Sequence, residues 1–290
     1  MRALRRRPAA TPGLAPLGTA RAPRAARPPS AARRWALVGV ALGVLVGVLA
    51  FAPASWLASA VAARTNGYVQ LADARGSVWS GSAIAVLTGG PGSRDARSLP
   101  GRLEWSLKPR IDGFELIVRH ACCLNGDVAL RVKPRMGGMV ATLAPTPGWV
   151  AQWPANWLAG LGTPWNTLDL AGTLRLVAPT GIGIETGNGS WHLSGRAELE
   201  LLDVSSRLVT LAPLGSYRLA VAGAPAGPGA ELTLSTLDGS LMLLGSGTWQ
   251  ARRARFRGEA RAAAGSEAAL SNLLNIIGRR DGARAVISIG

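Results

Sequence analysis

Between Trp35 and Ala63 the chain carries no charged side chain, and no other feature of its 290 residues constrains the fold as much. The stretch Trp35–Leu57, WALVGVALGVLVGVLAFAPASWL, exceeds the roughly twenty residues a helix needs to cross a hydrocarbon core. The expectation is one transmembrane helix over 35–57, bracketed by interfacial Trp35 and Trp56. The competing reading is a cleaved signal peptide, because Ala58, Ala60 and Ala63 could form an A-x-A site and Arg33-Arg34 loosely matches a twin-arginine signal. An uncleaved anchor is preferred, since the apolar stretch outruns the usual h-region of about 7 to 15 residues. Arginines on the amino side orient it by the positive-inside rule, with the amino end in the cytoplasm and everything after about residue 60 across the membrane.

The formal charge of +16 suggests a nucleic-acid partner until it is located along the chain. Nine of the 32 basic side chains and no acidic one precede Trp35, which leaves 23 basic against 16 acidic over the rest. More than half of the excess therefore sits in residues 1–34, an Ala/Pro/Arg mixture too poor in apolar side chains to offset the entropy of ordering it. This arm is expected to be disordered and cytoplasmic, and nucleic acid is not an expected partner.

Beyond the span, alternation with a period of two recurs. In Asn188–Leu201, Trp191, Leu193, Ala197, Leu199 and Leu201 share one face, opposite His192, Ser194, Arg196, Glu198 and Glu200, which describes a half-buried strand. Leu103, Trp105 and Leu107 alternate with Glu104, Ser106 and Lys108, and Val128, Leu130 and Val132 with Arg131 and Lys133. The same reading fits segments around Leu170–Leu176, Leu232–Leu234 and Phe256. Many short strands broken by Gly, Pro, Asn and Asp predict a mainly β domain over 64–290, built on a predominantly antiparallel sheet with a few short helices.

Two segments depart from this pattern. Pro147–Gly162 spaces Trp149, Trp153 and Trp157 by four, which predicts two short helices interrupted at Pro154, covering the sheet or resting on a membrane interface. Ser266 can cap a helix running to about Ile277, with Leu270, Leu273, Leu274 and Ile277 as its apolar stripe and Gly278 as its stop. A last strand over Arg284–Ile289 follows.

A loose echo links GSVWSG at Gly76, GSWHLSG at Gly189 and GSLMLLG at Gly239. The first copy spaces its glycines by five and the others by six, which suggests a bulge near Ser80-Gly81 that turns Ile84 and Val86 to the side of Trp79. Gly76 and Gly81 would then admit a kinked strand, and Trp79 would fill the space beneath it. Cys122 and Cys123 are the only cysteines. In an oxidising compartment they could close a vicinal disulfide, pair with another chain, or stay as buried thiols. His120 would add a third metal ligand with no fourth nearby, so no metal is expected.

No catalytic constellation stands out. There is no Gly-x-Ser-x-Gly elbow, no phosphate-cradling loop ending in Lys-Ser/Thr, no His-Glu-x-x-His and no paired-cysteine zinc spacing. Catalytic and cofactor-binding residues are therefore not expected, although sixteen acidic side chains leave room for a carboxylate pair.

The pieces ARGSVWSGSA, PANWLAGLGTPWNTLDLAGTLRL and NLLNIIGRRDGARAVISIG resemble general secretion pathway protein N, of the type II secretion system protein N family. The likeness runs from the span to Gly290 and includes the Leu-Gly-x-Pro-Trp-Asn piece with Pro164, Trp165 and Asn166. The resemblance implies a single inner-membrane helix, a periplasmic β-rich domain and a supporting role in exporting folded proteins. The implied partners are other secretion components, in the inner-membrane platform or the outer-membrane channel. It also implies kinship with AsmA-like proteins, whose curved sheets suggest lipid binding or bridging as an alternative function. The family brings no catalytic residues.

Overall fold

The computed structural model describes residues 30–187, 189–225, 227–250 and 253–290. The expectation for the basic arm therefore lies outside the described residues up to position 29. The chain divides into one unit ending at Ala50 and a second over Phe51–Gly290.

The first unit contains helix α1, Ser30–Ala50. Its segment Ala31–Ala50, 20 residues, is long and apolar enough to cross a membrane. Arg33 and Arg34 belong to its first turns rather than to the arm. The expected single helix over 35–57 is not what forms. The helix stops at Ala50, and a second helix, α2, Ala54–Arg64, starts after Pro53 and belongs to the other unit. Proline disfavours the α conformation in the residue before it and cannot donate to the helical ladder, so FAPAS in the apolar run marks a boundary.

The second unit is a sheet of seventeen strands: β1 Val69–Gly76, β2 Ser80–Thr88, β3 Ala96–Ser98, β4 Leu103–Arg110, β5 Gly113–His120, β6 Val128–Arg135, β7 Gly138–Leu143, β8 Trp149–Pro154, β9 Leu170–Val177, β10 Ile182–Gly187, β11 Ser190–Ser206, β12 Gly215–Gly223, β13 Ala230–Gly239, β14 Leu241–Gln250, β15 Arg253–Ala262, β16 Arg279–Asp281 and β17 Arg284–Ile289. A 3-10 helix, Ala155–Leu161, and α3, Trp165–Leu168, lie between β8 and β9, and α4, Glu267–Ile277, lies between β15 and β16. The fold is mainly β and every pairing of these strands is antiparallel, as the alternation predicts.

The pairing runs from β1 through β2, β4, β5, β6, β7 and β10 to β11, then through β12, β13, β14, β15 and β17 to β16. Long β11 is the branch point. Its residues 190–195 pair with β10 and residues 198–206 with β9, which carries β8 on its far side, while its other edge takes β12. The sheet is not closed: among the described residues no pairing joins β1 to β16.

Register puts the apolar positions on one face. Trp105 stands opposite Val118, Leu116 opposite Leu130, Leu130 opposite Leu143, Leu143 opposite Ile182, and Ile184 opposite Leu193. The odd positions of β11 carry that face onward, with Leu199 opposite Leu219 and Leu219 opposite Leu234. The other face holds cross-strand charges, such as Glu200 between Arg175 and Arg218 at 3.3 and 2.9 Å.

Three clusters seal parts of the apolar face. Helix α2 packs Ala54 and Leu57 onto Ala83 and Trp105. Trp153 and Trp157 cover Ala85, Leu99 and Cys123. Helix α4 lays Leu270, Leu273 and Leu274 over Val204, Tyr217, Leu241, Ala260 and Ala285. The bounds of α4 are those its sequence predicts, but the Ser266 side chain makes no cap hydrogen bond. The first of the two expected tryptophan helices is strand β8 instead, because β9 supplies its hydrogen-bonding partner, and a bulge between Trp149 and Ala151 turns Trp149 off the face of Trp153.

Candidate functional site

Where no helix covers it, the apolar face stays open. On β5, β6, β7 and β10 the side chains of Leu116, Val118, Leu130, Val132, Leu143 and Ile182 are all only half-buried, and Phe114, Met139 and Ile184 are exposed. The same holds further on for Leu193, Leu199, Leu219 and Leu232. Trp191 of β11 meets Trp249 of β14 edge to face, with ring centroids 5.3 Å apart, so two indoles floor the face where the strands of the two halves converge. A continuous half-exposed apolar surface of this extent on a sheet is the candidate site of this fold.

The GSVWSG motif is not a kinked strand. Ser77, Val78 and Trp79 form the turn between β1 and β2, and the bulge lies earlier, between Ala72 and Arg75, where Asp73 takes a φ of 48°. Arg102 braces that bulge through Asp73 Oδ2 at 2.8 Å and the Asp73 carbonyl at 2.6 Å. Ile84 and Val86 do not join Trp79. The buried side of β2 is Ala83, Ala85 and Leu87, and the small Ala83 leaves room for Trp105 and α2.

The tryptophan that fills the motif is Trp105, 5% exposed, whose Nε1 donates to the carbonyls of Ser77 and Val78 at 3.2 Å each. Gly81 is glycine because a Cβ there would lie 2.6 Å from the Trp105 ring and 2.6 Å from the Arg75 carbonyl. Gly76 has φ 88°, with the Ser80 carbonyl 2.5 Å from where its Cβ would stand. Trp79 is half-buried and tilts against Phe114 at 6.4 Å. The echoes at Gly189 and Gly239 are hairpin turns too, leading into β11 and β14.

Pro164, Trp165 and Asn166 sit at the other end of β2. Pro164 precedes α3, and the Asn166 Nδ2 donates to Asp95 Oδ2 at 3.2 Å, tying α3 to the loop after β2, while Thr163 and Thr167 hydroxyls donate to its Oδ1. Beside it lies a recess of about 290 Å³ lined by Arg94, Arg97 and Arg207 together with Asp95 and Asp169, where Arg207 pairs with Asp169. The two motifs therefore serve opposite ends of one strand and do not converge on a common site.

Cys122 and Cys123 follow β5, with their sulfurs joined and Cα atoms 3.7 Å apart. Cys123 is buried and Cys122 exposed. Cys122 Sγ lies 3.3 Å from His120 Nδ1, and the His120 Nε2 is buried with no hydrogen-bond partner among the described residues. Burial pushes the His120 imidazole below its ordinary pKa. The ligand atoms of His120, Cys122 and Cys123 lie within 4.8 Å of one another, but with the sulfurs joined neither cysteine offers the thiolate that zinc needs, and the trio is one short of a tetrahedral set.

The fold and the open face can now be set beside known proteins. The family profile of type II secretion system protein N matches residues 67–287. The chain belongs to that family. No curated protein and no solved structure matches it significantly. The match begins after α2 and runs from ahead of β1 into β17, so the type II secretion protein N assignment rests on the β unit and not on the apolar helix. The family is an accessory component of type II secretion rather than a known enzyme family, and its members associate with the inner membrane. Sequence reasoning missed Trp105 as the motif's partner and Arg102 as the brace of the bulge at Asp73. The only local signal for either is the apolar alternation around Trp105.

Proposed function

We propose that this member of the type II secretion protein N family works as an anchored docking component. Helix α1 holds it in the inner membrane with the amino end in the cytoplasm. The β unit lies in the periplasm, where its open apolar face receives other secretion components of the inner-membrane platform or the outer-membrane channel. The observation that carries this reading is the apolar face of β5, β6, β7, β10 and β11, half-exposed over its length in a protein of a secretion family. Anchoring raises the effective concentration of that face near partners in the same bilayer. A photo-crosslinking residue at Val132 or Leu193 should capture secretion components in cells, and one at Arg257 on the charged face should not. Equal capture from both faces would sink the docking surface.

A second reading uses the same face for acyl chains. It is favoured by the Trp191–Trp249 pair and by the absence of charge, among the described residues, on the open surface. On this reading the purified protein carries lipid detectable by mass spectrometry, and Leu193→Arg or Leu199→Arg strips it. A deletion strain that secretes normally while its outer-membrane lipids change would favour lipid handling over docking.

A further inference from the structure

The turns between β4 and β5 and between β6 and β7 end in the two most exposed apolar side chains of the β unit, Ile111 at 110% and Met136 at 104%. A single exposed aliphatic residue means little. These two cap adjacent hairpins. Register pairs Arg110 with Gly113, Phe114 with Val132, and Arg135 with Gly138, so both turns project from the same end of the strands, the β6–β7 turn about two residues farther out. Phe114 and Met139, both exposed, lie just behind them.

Basic side chains surround the pair. Arg110, Arg131 and Lys133 line a recess of about 200 Å³ together with Asp112 and Phe114. Lys133 pairs with Asp112 at 2.6 Å, Arg110 and Arg131 share Glu115, and Arg135 reaches Glu185 at 3.4 Å. The four basic groups outnumber these three carboxylates, and Lys108 adjoins them opposite Glu115. Exposed apolar tips ringed by an excess of Arg and Lys have the composition of surfaces that enter the headgroup layer of anionic bilayers.

Chain connectivity brings a bilayer to this end. Helix α1 ends at Ala50, and two residues later the Ala52 carbonyl accepts the Val78 N–H at 2.9 Å while Pro53 bridges to Ser77. The β unit is thus entered at the β1–β2 turn, within about 7 Å of chain from the end of α1. That turn lies beside β4, because the Leu107 N–H donates to the Trp79 carbonyl at 2.7 Å. From Leu107 to Arg110 the strand advances about 10 Å toward the tips. Phe51 and Trp56, both exposed, flank the entry point as interfacial aromatics do.

We propose that the β4–β5 and β6–β7 turns rest in the headgroup layer of the membrane that holds α1, with Ile111 and Met136 inserted and Arg110, Arg131, Lys133 and Arg135 facing anionic lipid phosphates. This rests on the reading of α1 as the membrane anchor.

The test uses the full chain reconstituted into phosphatidylcholine vesicles with or without phosphatidylglycerol. An environment-sensitive fluorescent amino acid replaces Ile111, Met136 or, as the control, Leu237, an exposed residue of β13 near the opposite end of the sheet. The labels at 111 and 136 should shift to shorter wavelength and lose most of their emission to brominated lipid, more strongly with phosphatidylglycerol, and the label at 237 should not. The double substitution Lys133→Glu and Arg135→Glu should reduce that quenching. If the labels at 111 and 136 behave like the one at 237 while the protein resists carbonate extraction, the anchor stands and this inference fails. Extraction by carbonate would remove both. Shielding of the tips only after other secretion components are added would overturn the lipid contact in favour of a protein one.

Discussion

Replacing Trp105 should damage this protein more than replacing Trp79, although Trp79 is the tryptophan inside the GSVWSG turn. Trp105 is buried against Ala54 and Ala83 and donates its indole N–H to two carbonyls of that turn. A buried indole removes about 150–250 Å² from water, which at about 25 cal/mol per Å² corresponds to about 4 kcal/mol for Trp105→Ala. The orphaned Ser77 and Val78 carbonyls add about 1 kcal/mol. In a body of this size each kcal/mol moves the midpoint by about 2–4 °C, so the melting temperature should fall by about 10–20 °C. Trp79 is half-buried, and its ring contact with Phe114 adds about 1 kcal/mol. Trp79→Ala should thus cost about 2 kcal/mol and about 4–8 °C. Trp105→Phe keeps most of the volume and loses the N–H, for about 1–2 kcal/mol. Circular-dichroism melts of the detergent-solubilised variants rank the three. If Trp79→Ala melts lowest, Trp105 is not what holds the turn.

Further outcomes follow from the same geometry. Gly81→Ala places a methyl group 2.6 Å from the Trp105 ring and from the Arg75 carbonyl, and should cost about 1–3 kcal/mol in a thermal melt; a neutral result would mean that the turn can shift. The Cys122→Ser, Cys123→Ser double variant should secrete normally, and stoichiometric zinc in the native protein that disappears in this variant would contradict a structural role. Alkaline phosphatase fused after residue 70 should be active, and a mature amino terminus near residue 60 would contradict the anchor. Burial holds the His120 pKa down, so its stabilising contribution is complete above the unfolded value of about 6.5 and declines as pH falls through the lower folded value; denaturant melts between pH 7.5 and 5.5 should show this, and His120→Gln should flatten it. Asp73, Asp112, Glu115 and Asp127 are held low by Arg102, Lys133, Arg110 and Arg119 respectively, so their contribution persists above about pH 4 and disappears only on stronger acidification.

What the sequence alone determined is whatever one segment can express by itself. The alternation in Leu103–Lys108, Val128–Lys133 and Trp191–Leu201 specifies strands with one apolar face, because successive side chains of an extended chain point to opposite sides whatever they pair with. The stripe Leu270, Leu273, Leu274 and Ile277 specifies α4 and its bounds in the same way. Even the end of α1 was legible, since Pro53 interrupts the apolar run, but hydropathy summed over the run hides that break. The tertiary structure alone decided which surfaces those faces meet. Trp149 and Trp153 are spaced equally well for a helix or a strand, and only pairing with β9 chooses the strand. Trp105 reaches the turn at Ser77, 28 residues earlier, through the register of β4 on β2. No local pattern records that register. The extent of the open face is likewise a remainder: it is the apolar surface left after α2, Trp153 with Trp157, and α4 have each taken their share, and how far each helix reaches is set by packing between segments distant in the chain.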